Sequence, residues 1–352
     1  MDTHHLLRQL SQSHGISGHE NGVRDLILGE WRRFAAETRV DKLGSVHAIL
    51  RGARSASAPA RSIMLAAHMD EIGLIVAGVA QGFIRLAPIG GVDPRVLPGQ
   101  EIVVHAAARD LPGVIASSPP HVLRPADRDK IVPIDQLWVD VGLSARQVDR
   151  LVQIGDLVSM QRAPLDLKNG LIAGKAFDNR ASIAAVTVCL QQLATRPPQW
   201  DVIAVATVQE ETGLLGARVA AFGLAPDAAI AIDTTYGRQP GTPDNESFEV
   251  GGGPTIAIGP NMHPRMTQGL LDAAQRLELN APVEPMPGNS LTDGWAIQVA
   301  RAGIPTGIVE IPIRNMHTPV ETVAVKDVER AGRLLAEFIV GLDETFYQAL
   351  TE

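Results

Sequence analysis

The chain has 352 residues and a formal net charge of -8, with 31 Lys and Arg residues against 39 Asp and Glu residues. This acidic balance, without any run of Lys or Arg, excludes a typical nucleic-acid-binding protein, because phosphate contacts need an excess of positive charge on some face. The single cysteine, Cys189, excludes a disulfide within the chain. No apolar stretch reaches the roughly 18 residues of a membrane span and no signal peptide is visible, so we expect a cytoplasmic protein without a membrane partner.

The pattern of apolar residues changes twice along the chain. Apolar residues recur at helical spacing up to about residue 36, with a polar turn at 13–21 between two predicted helices. Short predicted strands follow at 46–52 and 62–70. From residue 71 to 164, short apolar runs alternate with Gly, Pro and Asp turns, with one short helix near 144–154, which is typical of an all-β unit. After Leu171, helices and strands alternate again.

The simplest organisation is therefore an α/β domain, residues 1–70 plus 165–352, interrupted by an inserted small β domain at 71–164. Two domains joined end to end are the alternative. In that case the strands at 46–70 would have no sheet to join.

Acidic and imidazole side chains follow several of the predicted strands. His68 and Asp70 come after one strand, Glu210 and Glu211 after a second, and Asp233 after a third. In an open α/β sheet, ligand sites gather at the carboxyl ends of the strands, so these residues are expected to converge. Two loop residues, Asp178 and His317, complete the candidate set.

A mixture of imidazoles and carboxylates is suited to a pair of divalent metals such as zinc, cobalt, manganese or iron. Two adjacent glutamates can then do different work, one as a ligand and the other as general base for a water. Asp70, two residues after His68 in an extended segment, can accept the second N–H of that imidazole and fix its orientation.

Five motifs in order carry a resemblance to a known family: AAHMDEIGLIV, GKAFDNRAS, QEETGLLGA, AIDT and IRNMHTPVE. Together they resemble the dinuclear-metal aminopeptidases of the tetrahedral (TET), glutamyl and deblocking type. The resemblance covers essentially the whole chain. It implies a mixed-sheet metallopeptidase domain sandwiched by helices, with an inserted β-barrel-like domain for dimerisation and assembly, and dimers that build a hollow dodecamer.

The resemblance also implies a role for each site residue. His68 and Asp233 would hold one metal, Glu211 and His317 the other, and Asp178 would bridge them. Glu210 would be the general base or acid and Asp70 would support His68. The two ions per chain would be zinc or cobalt, with manganese possible, and the substrates would be peptides.

Three further residues are candidates for substrate binding: Asp293, Asn315 and His263. Asn315 stands where many relatives have Tyr, and Asp233 is followed by the unusual TTYGRQPGT, so the side-chain preference of this chain is open. Asp293 could instead cap the helix that begins near Trp295.

Taken singly, each candidate also has an ordinary explanation. Asp178 could be a helix N-cap, His68 a core histidine, Asp233 a turn residue and His317 a loop residue. For function, an aminopeptidase is the main hypothesis. An N-acyl amino acid deacylase and a non-catalytic peptide-binding scaffold of the same fold are the alternatives.

Overall fold

The computed structural model describes residues 2–55 and 59–351. The helices are α1 (Thr3–Gln12), α2 (Asn21–Trp31), α3 (Ala145–Leu151), α4 (Phe177–Thr195), α5 (Leu215–Leu224), α6 (Pro264–Arg276), α7 (Asp293–Ile297), α8 (Val325–Val340) and α9 (Glu344–Ala349). The strands are β1 (Glu37–Val40), β2 (Val46–Leu50), β3 (Ser62–His68), β4 (Gly73–Ala80), β5 (Phe83–Ile89), β6 (Glu101–Ala106), β7 (Arg109–Ala116), β8 (Trp138–Asp140), β9 (Leu157–Met160), β10 (Leu165–Asp166), β11 (Leu171–Gly174), β12 (Asp201–Thr207), β13 (Ala228–Tyr236), β14 (Thr255–Ile258), β15 (Val283–Pro285), β16 (Thr306–Ile313) and β17 (Glu321–Ala324).

The centre of the molecule is an eight-stranded mixed sheet in the order β1-β2-β12-β3-β13-β16-β14-β15. Its four central strands, β12, β3, β13 and β16, run parallel to one another. Their carboxyl ends therefore lie at one edge of the sheet, where ligand sites of open α/β folds are found.

Both faces of the central sheet are covered by helices. In β3, Ile63 and Leu65 pack into the core beneath α1, α2, α4, α6 and α8. Met64 and Ala66 point to the opposite face and pack with α5 and α7. Burial on both faces explains why this strand is a continuous apolar run instead of an alternating one.

The segment between β3 and β10 folds into a closed barrel with the strand order β4-β5-β8-β7-β6-β9. Closure removes free strand edges, and apolar side chains such as Leu74, Ile84 and Val139 fill its interior. The first and last barrel strands pair with each other at Leu74 and Val158, so the chain enters and leaves the barrel at neighbouring points. An α/β domain with an inserted β-barrel is thus the observed fold, and the residue limits of the two domains stay a prediction.

Two elements differ from the sequence expectation. The first helical region ends at Trp31, and an exposed strand, β1, follows at Glu37–Val40. At the start of α7, Thr292 and not Asp293 is the N-cap, because its hydroxyl accepts the Gly294 N–H. Asp293 is thereby free to face the interior.

Candidate metal centre and active site

The two adjacent glutamates are held by one buried carboxylate. Asp70, directly after β3, accepts the backbone N–H of Glu210 at 3.1 Å and that of Glu211 at 3.2 Å. The Ser17 hydroxyl donates to the same carboxylate at 2.5 Å, and His68 Nδ1 lies 3.4 Å from it. Asp70 therefore orients both the imidazole of one strand and the turn that follows another.

Asp178 lies between two imidazoles. Its Oδ1 is 3.2 Å from Nε2 of His68, and its Oδ2 is 3.2 Å from Nε2 of His317. Each carboxylate oxygen thus faces a different histidine. This is the arrangement expected of a carboxylate that links two neighbouring cation positions.

The remaining carboxylates surround the same two imidazoles. Asp233 Oδ1 and Glu210 Oε2 each lie 3.8 Å from His68 Nε2, and Glu211 Oε1 lies 3.4 Å from His317 Nε2.

Three groups of donor atoms lie within 4.8 Å of one another and could hold a metal ion: His68, Asp178 and Asp233; Asp178, Glu211 and His317; and His68, Glu210 and Glu211. The first two groups share Asp178.

A second buried carboxylate positions Asp178 and His317 through their backbones. Glu321, the first residue of β17, accepts the Asp178 N–H at 3.0 Å and the His317 N–H at 2.9 Å. His317 has a φ of 60°, in the left-handed region, and these hydrogen bonds hold it there. Asp178 lies within the first turn of α4 with a non-helical backbone, and it is not the N-cap of that helix.

Burial and mutual repulsion shift the pKa values of the site strongly. Burial raises the pKa of Glu210 to about 10 and that of Glu211 to about 7, with neighbouring carboxylates adding to each shift. The hydrogen bond to Asp178 raises the pKa of His317 to about 9 despite its partial burial. Burial also opposes ionisation of Asp178, but the two histidines outweigh it and hold its pKa well below the usual range.

These shifts describe a buried surplus of negative charge, which is stabilised by cations or protons. The donor set consists of imidazole nitrogen and carboxylate oxygen without thiolate, which is suited to zinc, cobalt or manganese. The residues present therefore fit divalent cations.

A cavity of about 230 Å³ opens onto this cluster. Of the three residues predicted to bind substrate, none is among its lining residues. Asp293 is buried close by, where its carboxylate accepts the Thr207 hydroxyl at 2.5 Å. Asn315 is exposed in the loop just before His317, where its backbone N–H donates to the side chain of Gln239. His263 caps α6 and lines a separate cavity, so it is not brought together with the other candidates.

Sequence reasoning missed three glutamates near the site: the buried Glu310 and the half-buried Glu284, which line the cavity, and the buried Glu321. The signal for Glu310 is present in the sequence, because a lone charge within the apolar run GIVEIPI requires a functional or structural partner.

Comparisons with known proteins agree with the fold. The family profile of M42 glutamyl aminopeptidases matches residues 44–334. A lysyl aminopeptidase of Pyrococcus furiosus is 36% identical over 334 residues, covering 94% of this chain and 94% of that protein. The crystal structure of a TET aminopeptidase from Thaumarchaeota archaeon SCGC AB-539-E09 has a TM-score of 0.92 at 30% identity, with 99% of both chains covered. PhTET1-12s, a dodecamer, has a TM-score of 0.84 at 28% identity, covering 97% of this chain and 100% of that one.

The fold is a helix-covered mixed sheet with an inserted barrel, and it carries a buried cluster of imidazoles and carboxylates. Together they define a metallopeptidase fold with a candidate metal centre. The chain belongs to the M42 glutamyl aminopeptidase family, and it is an aminopeptidase. No helix in the described ranges 2–55 and 59–351 is long and apolar enough to cross a membrane.

Proposed function

We propose that this aminopeptidase releases N-terminal residues from peptides through a dinuclear metal site. The observation that supports this proposal most directly is the position of Asp178, whose two carboxylate oxygens face two different histidines at 3.2 Å each. His68 and Asp233 would hold one ion and Glu211 and His317 the other, with Asp178 shared. Zinc and cobalt are the ions proposed first, and manganese is compatible with the same donors.

Divalent cations at such a site supply Lewis acidity, which polarises a carbonyl and lowers the pKa of water. Glu210 is the proposed general base: it is buried, lines the cavity, and its Oε2 is 3.8 Å from the His68 imidazole. It would take a proton from the attacking water and return it to the leaving amine. Asp70 would act by positioning, since it holds the backbone of Glu210 and faces His68 Nδ1.

Assembly and location are part of the same proposal. PhTET1-12s is a dodecamer, and its fold and length match this chain. We propose that the present chain also forms dimers that assemble into a dodecamer, and that it works in the cytoplasm. Size-exclusion chromatography with light scattering tests the assembly, and a monomer at micromolar concentration would contradict it.

The activity is tested with aminoacyl p-nitroanilides and their N-acetylated forms. The protein is stripped with chelator and reloaded with zinc, cobalt or manganese. Metal-dependent release from the free-amine series alone supports the proposal. Release from the acetylated series alone would favour a deacylase. If neither series nor longer peptides were hydrolysed, a binding scaffold would be favoured.

The role of Glu210 is tested separately. Glu210→Gln should lower kcat by about two to four orders of magnitude, because a general base is lost, while two ions per chain remain bound. Glu30→Gln, on the surface of α2, is the matched control and should leave kcat unchanged. Loss of one ion in Glu210→Gln would instead make Glu210 a ligand, as the third donor group allows.

The relatives of this chain include aminopeptidases for side chains of opposite charge. The matching family is that of M42 glutamyl aminopeptidases, whereas the relative that is 36% identical is a lysyl aminopeptidase. The two activities require opposite charges in the side-chain pocket, so the charges that line the pocket of this chain decide between them.

A further inference from the structure

Two glutamates that have no part in the proposed metal centre line the cavity that opens onto it. Glu310 lies in β16 and Glu284 in β15. The same cavity is lined by His68, Asp233 and His317, so a peptide with its N-terminus at the metal centre places its first side chain among these walls. Its volume of about 230 Å³ is below the roughly 300 Å³ at which sites for drug-sized ligands begin, which suits a single side chain.

Strand register places Glu310 on the face of the sheet that carries the site. Glu310 is paired with Asp233 of β13 on one side and with Thr255 of β14 on the other. Paired residues of neighbouring strands point to the same face, so the Glu310 side chain lies on the same face as Asp233.

Hydrogen bonds fix Glu284 on the same face. The Thr235 hydroxyl donates to its Oε1 at 2.7 Å, and the Thr255 hydroxyl donates to its Oε2 at 2.8 Å. Thr255 is the strand partner of Glu310, so Glu284 is bound to a residue that lies directly beside Glu310 in the sheet. Glu284 is therefore held in place by two neutral donors.

Glu310 lacks a matching donor. Glu310 is only 2% exposed, and its Oε2 has no hydrogen-bond partner among the described residues. The described residues that line the cavity include no Lys and no Arg. A buried carboxyl oxygen without a donor is costly, and a cation that enters the cavity would supply both the charge and the hydrogen bond.

The structure assigns Glu284 and Glu310 to the binding of a positively charged side chain, so we propose that this chain prefers peptides that begin with lysine or arginine. This inference rests on the proposed aminopeptidase function and names its substrate class. Ammonium and guanidinium groups carry three and five donors and no acceptor, which matches two carboxyl groups with free acceptor capacity. Met286 and Met316, also in the lining, would contact the methylene stem.

The test compares lysyl, arginyl, norleucyl and glutamyl p-nitroanilides, since norleucine keeps the stem of lysine and lacks its charge. We expect kcat/KM for lysine and arginine to exceed that for norleucine, and glutamate to be the poorest substrate. Glu310→Gln and Glu284→Gln should each lower the ratio of lysine to norleucine by about 10- to 100-fold, as expected for one charge-assisted hydrogen bond. Retained cleavage of norleucyl p-nitroanilide shows that each variant is folded, and Glu30→Gln should leave the ratio unchanged.

Three results would overturn the inference. One is a wild-type protein that cleaves norleucyl p-nitroanilide as well as the lysyl compound, and another is a ratio that neither variant changes. The third is a metal content of three ions per chain that falls to two in Glu310→Gln, because the pair would then hold a metal.

Failure of the proposed function is distinguished by direct binding. If no free-amine compound is cleaved, calorimetric titration with L-lysinamide and L-norleucinamide still measures the preference of the cavity. Tighter binding of lysinamide that is lost in Glu310→Gln supports the inference even then. Equal binding of the two amides contradicts it.

Discussion

Glu71 is the centre of a buried ionic network that joins three distant segments. Its carboxylate accepts the Gly15 N–H at 3.0 Å, lies 2.6 Å from Lys175 Nζ and lies 3.1 Å from Arg180 Nη2. All three charged side chains are at most 5% exposed. Glu71→Gln preserves the shape of the side chain but leaves an ammonium and a guanidinium buried without their counter-charge.

The expected cost is large because the partners stay buried. Removing one member of a buried ion pair costs about 3–5 kcal/mol. With an unfolding entropy of about 2.1 cal/mol/K per residue, a chain of this length loses about 4–7 °C in Tm for that cost. The exposed control pair Glu30 and Arg33, 2.7 Å apart, should contribute less than about 1 kcal/mol, or about 1 °C.

Differential scanning calorimetry of the metal-free proteins at pH 7 measures the effect. Burial opposes ionisation of Glu71, but Lys175 and Arg180 outweigh it and hold the pKa of this carboxyl below its ordinary value of 4.5. Its contribution is therefore complete above that value and lost as the pH falls through the lowered pKa of the folded state. A Tm of Glu71→Gln within 1 °C of that of Glu30→Gln would refute the reasoning.

Three further substitutions test packing and titration. Burial, assisted by Lys175, lowers the pKa of His14 to about 4, so its contribution to stability is complete above pH 6.5 and is lost as the pH falls toward 4. Calorimetry at pH 7 and pH 5 should show a smaller fall in Tm for His14→Gln than for the wild type, and equal falls would contradict this. Gly29→Ala, in α2 with no atom within 4 Å of the new Cβ, should stabilise the protein by about 0.5–1 kcal/mol in calorimetry. Gly216→Ala should lower the Tm, because the new Cβ would lie 2.5 Å from the backbone of Val208, and an unchanged Tm would show that α5 can shift.

Much of the fold could be predicted from the pattern of apolar residues. β3 and β12 are buried on both faces and appear as continuous apolar runs. The barrel strands instead appear as short apolar runs that are separated by turns rich in Gly and Pro. Strand β1 (ETRV) could not be predicted because it is mostly exposed, and β15 (VEP) because it has three residues and ends in Pro. Their pairing depends on neighbours that are distant in the chain.

The candidate site was predictable to the extent that its residues follow strand ends. His68, Glu210 and Asp233 converge as the rule for open α/β sheets predicts. Glu284 and Glu310 could not be assigned to the cavity from local pattern, because their meeting depends on the order β16-β14-β15 at the sheet edge. The ligand and base roles themselves remain predictions for the assays above.

The wide spacing of the site residues along the chain has a consequence for biosynthesis. His68 is synthesised early, whereas His317 and Glu321 come near the end of the chain. Asp178 contacts all three: its carboxylate faces His68 and His317, and its backbone N–H donates to Glu321. A ribosome-bound chain therefore cannot assemble the complete cluster until almost all of it has been synthesised. The proposed metal centre is therefore completed only when the last of its residues has left the ribosome.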